Sequence, residues 1–543
     1  MAIVTLNKKE LKNLVGNLSD EKIDETLSLF GTAVERISAE SVEVEVTPNR
    51  PDMLSQSGIF RALSSYLGKK KKEYKIHKPE KNYSVKIDKN LKEIRPYTAC
   101  AIVKNLKFND ERIKEIIDIQ EKLHSTLGRN RKKVAIGIYP LEKISLPIKY
   151  EARKPEDIKF QPLDSDREMT GREILQKHPT GRDYAHLLEG KEKFPVFIDT
   201  EGEILSMPPV INSDKTGKIT QATRDVFIEC SGFDFNMLKK TLNILVTVMS
   251  DMQGEIYQMT LDYGKKEITP DLTPEKMKID INSINKLLGL DLKEAEIKKL
   301  LEKIGYTYNS SKKEVEIPAY RTDIMHEVDI AEDVAIAYGY DKLVPEIPQI
   351  ASIGEEDEKE KIKNKIAEIL VGLGLLEISS LHLLTKEDMD KGKVKEAVEV
   401  EETKSDYKFL RHNLLVSALK ILGENVDAEY PQKIFEIGKC FNKDEKEEAG
   451  IKEKDKLVIA LTPGNFTELR QVLEYLARML EIEFKIEETD KEGFIEGRTG
   501  KILLDGKNIG VIGEIHPSTL KSWHLKMPLT CLELDLEEIL SLG

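Results

Sequence analysis

Apolar positions along the chain change spacing repeatedly, and the changes mark its elements. Short apolar or alternating runs predict strands at Val134–Tyr139, Val196–Asp199, Val226–Glu229, Ile434–Ile437, Leu457–Leu461, Ile502–Leu504 and Leu532–Leu534. Three- and four-residue spacing predicts helices. Leu54, Ile59, Leu63, Tyr66 and Leu67 form one such face, stopped by Gly68, with Asp52 placed to cap its start. Ile113, Ile116, Ile117, Leu123 and Leu127 form another, closed by Gly128; further helices fall at Ile366–Leu373, Leu414–Leu422 and Leu469–Leu480. Between Ile281 and Tyr306, two short helical patterns flank Gly289-Leu290-Asp291, the outline of a helix-turn-helix. Prolines 270, 274, 345 and 348 and the charged run Glu355–Lys363 punctuate this pattern. The expected organisation is α+β and multidomain, with segments 1–90, 91–268, 269–346 and 357–543.

Composition narrows the class. A chain of 543 residues, 40% hydrophobic and 33% charged, is that of an ordinary globular protein in several domains. No run of 18 apolar residues and no secretory leader pattern is present, so no membrane span and a cytoplasmic location are expected. Four cysteines without C-x-x-C spacing argue against a disulfide framework or a zinc ribbon. The net charge of −13 is unevenly divided: residues 66–133 hold 20 basic and 9 acidic side chains, a net +11. The runs Lys69, Lys70, Lys71, Lys72 and Arg129, Arg131, Lys132, Lys133 dominate that excess. It fits a surface that meets a polyanion, or else a merely solvated basic face.

The strongest candidate chemistry lies in Arg321–Gly339. On a helix over 328–338, Asp329, Glu332 and Asp333 share one face, with Asp323 just before it. Like charges so placed repel by about 0.2–0.5 kcal/mol per pair, so a cation, a basic partner or the helix N-terminus must offset them. Oxygen-only donors suit a hard ion such as Mg²⁺; Arg321 is equally an ion-pair partner. Glu229 ends a strand and, with Asp234, flanks Cys230–Phe233; there it either binds a ligand hydroxyl or serves as an ion pair or cap. Pro208-Pro209 is expected to shape a loop, and His178 and His186 to lie on a surface loop. No triphosphate-binding loop, dinucleotide fingerprint, H-E-x-x-H or G-x-S-x-G is present.

The string Ile317–Asp341 closely resembles the beta subunit of phenylalanyl-tRNA synthetase. Thr47–Asp52, Arg129–Gly137, Ser206–Ser213, Phe435–Gly438 and Ile512–Pro517 resemble it too, in the same order and across essentially the whole chain. The extent is that of the archaeal and eukaryotic type. The resemblance implies an N-terminal mixed domain, an editing-like α/β domain, a helix-turn-helix-like module and a degenerate class II synthetase-like antiparallel sheet domain. It implies an alpha subunit partner in an (αβ)₂ heterotetramer, phenylalanine tRNA as a further partner, and ATP bound by the alpha subunit. It also implies Mg²⁺ shared between subunits at Asp323, Asp329, Glu332 and Asp333, and a tRNA-facing role for the basic runs. No residue of this chain is implied as catalytic in aminoacylation.

The resemblance further implies hydrolytic editing of Tyr-tRNA, with Glu229 contacting the phenol and Asp234, Asn212 and Ser213 lining the pocket. An apolar pocket rejects an added hydroxyl by only about a hundredfold, which is why a second site has to read it. The chain departs from the family pattern at Ser231-Gly-Phe-Asp-Phe-Asn236, where relatives usually read Thr-Gly-Thr-Asp-x-Thr. It departs again at Tyr139-Pro140, where they commonly have His-Asp. These departures imply weakened or lost editing. The alternative reading is a free-standing nucleic-acid-binding regulator that uses Ile281–Tyr306; the mixed charge of that segment counts against it.

Overall fold

The structure, a computed structural model, describes residues 2–69, 71–348, 350 and 352–541. It is a mixed α/β chain of two compact units, Met1–Ile347 and Pro348–Gly543.

In the first unit, a three-stranded antiparallel sheet opens the chain. Its middle strand, Ser41–Val46, buries Val42, Val44 and Val46 and turns Glu43 and Glu45 outward, as a period of two demands. The helix Gln56–Tyr66 packs nearby. Its cap is Ser55, whose side chain accepts from the Gly58 amide at 3.1 Å. The expected cap, Asp52, instead lies in the 3₁₀ turn Pro51–Met53, fully buried and paired with Arg50 at 2.9 Å. Pro51 fixes that turn one step too early for Asp52 to reach the helix amides.

An eleven-stranded sheet dominates this unit. Tyr97–Lys104, Val226–Gly232 and Val134–Pro140 stand side by side at one end, all antiparallel, with Val134–Pro140 the terminal strand. Ile211–Asn212 terminates the other end. The helix Phe235–Asp251 buries Leu238, Leu242, Leu245 and Met249 against the first two of these strands. The helix Asp110–Ser125, capped by Asn109, buries Ile116, Ile119 and Leu123 in the same core. Residues Arg129, Asn130 and Arg131 then take φ values of 47°, 52° and 64°, a left-handed turn that delivers the chain into the edge strand. His178, expected on the surface, is 6% exposed and its Nε2 lies 3.0 Å from the Leu163 carbonyl oxygen. A smaller sheet, 275–278 with 307–309 and 314–317, packs with helices Ile281–Leu288, Glu294–Lys303 and Glu327–Tyr338. Gly289 ends the first of these helices in the left-handed region, φ 67°.

The second unit is built on a seven-stranded sheet, antiparallel apart from the parallel edge pair Leu376–Glu377 and Gln432–Lys443. Leu457, Ile459 and Leu461 face helices Glu358–Gly372 and Phe466–Leu480, while Val458 and Ala460 face the helix Leu415–Glu424. Both faces are covered, which explains why its strands read as near-continuous apolar runs. Arg411 is buried here and donates to Glu436 and Ser380 Oγ, each at 2.7 Å.

Candidate functional site

The two end strands of the large sheet do not hydrogen-bond to each other, yet they meet. Tyr139 on one lies 3.3 Å, Oη to Oδ1, from Asn212 on the other. A cavity of about 470 Å³ sits at this seam, walled by the helix Asp110–Ser125, the edge strand and the Pro208–Ile219 loop. Ile113, Ile117, Ile136, Ile138 and Ile219 make it largely apolar; Glu229 and Asn212 supply polar groups. Pro208-Pro209, expected to shape a loop, does so on this wall.

Glu229 reaches the cavity because of the residue beside it. Its cross-strand neighbour on the edge strand is Gly137. A Cβ at Gly137 would fall 2.5 Å from Glu229 Oε1 and closer still to Tyr139 Oη, so both side chains occupy space that glycine leaves open. Glu229 Oε1 accepts from Tyr139 Oη at 3.3 Å, and Tyr139 stacks on Phe227 with ring centroids 5.7 Å apart. Glu229 Oε2 is buried without a hydrogen-bond partner. Burial pushes the Glu229 carboxyl up to about 8, opposed by Arg95 and by the Tyr139 hydroxyl. At neutral pH this group is mostly a neutral acid with an unspent oxygen at the cavity wall, placed to exchange a hydrogen bond with a guest's hydroxyl.

The outer edge of the strand is also satisfied by side chains. The Ile136 amide donates to His124 Nε2 at 2.8 Å and its carbonyl accepts from Gln120 Nε2 at 3.1 Å. That leaves His124 Nδ1 facing Glu121 Oε1 at 3.2 Å, and burial holds the imidazole below its ordinary value. These contacts close an edge that would otherwise expose ladder groups. Sequence reasoning missed Gly137, His124 and Gln120 altogether.

Of the expected pocket residues, Glu229 and Asn212 line the cavity. Asp234 does not: it caps the helix Phe235–Asp251, accepting from the Asn236 and Met237 amides at 2.9 and 3.2 Å. Ser213 is buried beside the cavity wall, its amide donating to the Leu205 carbonyl at 2.8 Å. Of the departures at residues 231–236, only Ser231 stands beside Glu229, where its hydroxyl faces the carboxyl. Ser231 holds Arg95 at 3.1 Å, Phe233 is 54% exposed and Asn236 is exposed on the first helical turn.

The basic run at 129–133 lies at the cavity rim. Arg131 lines it, donating to the Val210 carbonyl at 2.8 Å and to Glu121 at 3.0 Å. Arg129, Lys132 and Lys133 are exposed. In the other run, Lys69 donates to the Leu14 carbonyl at 2.9 Å and Lys72 pairs with Asp251 at 3.2 Å. Lys71 is half-buried, and Lys70 lies outside the described residues.

The carboxylate cluster has another occupation. Asp329, Glu332 and Asp333 do share a helix, Glu327–Tyr338. Asp333, however, is 4% exposed and bonded to Arg321 Nη2 at 2.7 Å and to the Tyr306 hydroxyl. Asp323 takes the same guanidinium at 2.7–3.2 Å. Asp329 caps the helix, accepting the Met325 and His326 amides at 2.7 and 2.8 Å, and Glu332 is exposed. Arg321 is thus the cation that offsets the crowded carboxylates. Among the described residues no three or more His, Cys, Asp or Glu side chains converge as a metal site, and of the shared Mg²⁺ set implied by the resemblance Asp323 and Asp333 are bound by Arg321 within this chain.

Comparison with known proteins agrees with this architecture. The B3/4 domain matches residues 80–252, the tRNA synthetase B5 domain 277–340, and the phenylalanyl tRNA synthetase beta chain CLM domain 343–536. An N-terminal fragment of the phenylalanyl-tRNA synthetase beta-subunit of Pyrococcus horikoshii superposes with a TM-score of 0.59 at 38% identity. That superposition covers 62% of this chain and 99% of the fragment. Together these place the chain among the subunits of aminoacyl-tRNA synthetases. The phenylalanine–tRNA ligase beta subunit of Thermococcus sibiricus is 41% identical over 90% of this chain and 89% of its own length. That of Archaeoglobus fulgidus is 37% identical over the whole of both chains. The chain belongs to the family of phenylalanine–tRNA ligase beta subunits. These matches do not favour the free-standing regulator, and no described helix is long and apolar enough to cross a membrane.

Proposed function

We propose that this chain is the non-catalytic half of a ligase that attaches phenylalanine to its tRNA, with chemistry and ATP in an alpha chain of an (αβ)₂ assembly. Its end-to-end similarity to beta subunits of that ligase carries this reading. Mg²⁺ enters with the assembled complex, and no step is assigned to it at the Arg321-bound carboxylates. The exposed Arg129, Lys132 and Lys133 beside the cavity rim suit the phosphates of a tRNA end, with Lys69, Lys71 and Lys72 forming a second basic surface.

The cavity is the editing pocket in this reading, and Glu229 supports it: a side chain with a buried, orphaned carboxyl oxygen lines a largely apolar space of about 470 Å³, ample for an aromatic side chain. Such a site favours a ring bearing a hydroxyl over one lacking it, because only the hydroxyl pairs the carboxyl oxygen. Tyr139, in place of the family's histidine, makes the hydrolysis slower than in relatives.

The test is reconstitution with an alpha chain. The complex charges phenylalanine tRNA and hydrolyses Tyr-tRNA, and E229A abolishes the hydrolysis; charging by this chain alone, or no stoichiometric complex, overturns the assignment.

A further inference from the structure

Tyr139 places a phenol of the protein's own against the carboxylate that faces the cavity. Its Oη lies 3.3 Å from both Glu229 Oε1 and Asn212 Oδ1, over the notch at Gly137. One hydroxyl proton serves one acceptor at a time, and the carboxyl shares it with the amide oxygen. Tyr139 itself is wholly buried and stacked on Phe227, so its hydroxyl cannot swing away without leaving the core. The opposite oxygen, Oε2, is buried without a hydrogen-bond partner, although the Ser231 hydroxyl also faces this carboxyl. The two oxygens of one carboxyl are therefore unequal: one is tied down, the other is unspent.

We propose that Tyr139 is a positioning residue that sets the specificity of this cavity, fixing Glu229 through Oε1 so that Oε2 alone exchanges a hydrogen bond with the hydroxyl of a phenol-bearing guest. This rests on the cavity reading given above and deepens it. An unanchored carboxyl rotates and offers either oxygen at poor geometry, so fixing one end makes the other a directional reader. A guest without the hydroxyl leaves Oε2 as it is in the empty site, unpaired in an apolar wall.

Burial explains why the pair reports on itself through pH. The titratable groups facing Glu229 are Tyr139 on the edge strand, Cys100 from the adjacent strand with Arg95 just before it, Cys230 on its own strand, Tyr150, and Glu121, His124 and Arg131 across the cavity; exposed Asp164 and Lys218 stand at its mouth. His124 titrates below its ordinary value, Glu121 is lowered by its bond to His124, and burial raises both Cys100 and Tyr139. Glu229 is thus the group of this set that titrates near 8. Donation from Tyr139 favours its charged form.

The experiment uses the αβ complex and measures deacylation of Tyr-tRNA against Phe-tRNA from pH 6 to 9.5. Y139F, one oxygen smaller, lowers the tyrosine preference about tenfold and moves the inflection of its pH profile upward. N212A frees the whole Tyr139 proton for Glu229 and moves the inflection downward, a direction that a merely structural role does not produce. Wild-type preference and inflection in Y139F, with E229A still inactive toward Tyr-tRNA, overturns this proposal alone. Full activity in E229A overturns the cavity reading as well. If Y139F does not fold, the downward shift in N212A decides, and its absence rejects the proposal.

Discussion

Replacing Glu229 by glutamine isolates the energetic consequence of burying a carboxyl. In the unfolded chain the group titrates near 4.5, and in the folded chain near 8. Between those values the unfolded state releases the proton and the folded state keeps it, so each rise in pH favours unfolding. The stabilising effect of the neutral acid is fully present below about pH 4.5 and is lost as pH rises toward 8. At about 1.36 kcal/mol per pH unit, that window amounts to on the order of 4–5 kcal/mol. Glutamine keeps the shape, accepts the Tyr139 hydroxyl through its amide oxygen and does not titrate. Chemical unfolding of wild type and E229Q, with each free energy extrapolated to zero denaturant at a series of pH values, gives a difference curve from which every other ionisable group cancels. The curve is flat below pH 4.5, climbs in favour of E229Q up to about pH 8 and is flat again above. A difference that stays constant across pH 5–8 would refute the reasoning, since Glu229 would then be charged in the folded protein at neutral pH.

Two further outcomes follow from the packing. Arg321→Met leaves Asp323 and Asp333 without their shared cation and lowers stability by about 3–5 kcal/mol; a loss under about 1 kcal/mol in denaturant unfolding rejects the buried network. Gly137→Ala drives a methyl group into Tyr139 Oη and Glu229 Oε1, costing about 1–3 kcal/mol and abolishing preference for Tyr-tRNA. Unfolding and deacylation measured on the same preparation check it, and wild-type behaviour in both removes the notch from the argument.

How much of this was legible in the sequence depended on distance along the chain. The alternation Val42, Val44, Val46, the helix caps around Gly289 and the shared helix of Asp329, Glu332 and Asp333 are local, and periodicity alone places them. What spacing could not show for the carboxylates was which of them share a partner within the chain. Arg321 stands twelve residues before Asp333, beyond the reach of a helical spacing rule, and only the fold brings its guanidinium to 2.7 Å. Asp234 carried a usable signal, a short acidic residue before a long apolar run, which marks a helix cap more readily than a pocket wall. Asp52 carried the same signal and failed, because Pro51 had already closed its turn.

The cavity is the harder case, and the reason is topological. Glu229 and Gly137 are 92 positions apart, and their pairing is a property of register rather than of either segment. Asn212 comes from the far end of an eleven-stranded sheet and meets Tyr139 because the sheet curls without closing. Had those end strands paired, backbone hydrogen bonds would have consumed the seam and left no room for a guest. Because they do not, side chains take over the edge: His124 and Gln120 satisfy Ile136, and Tyr139 with Asn212 bridges the gap. In that bridge Glu229 Oε2 remains unpaired. A buried oxygen without a partner costs about 1–3 kcal/mol, so the fold carries a penalty at the one place where a hydroxyl-bearing guest relieves it.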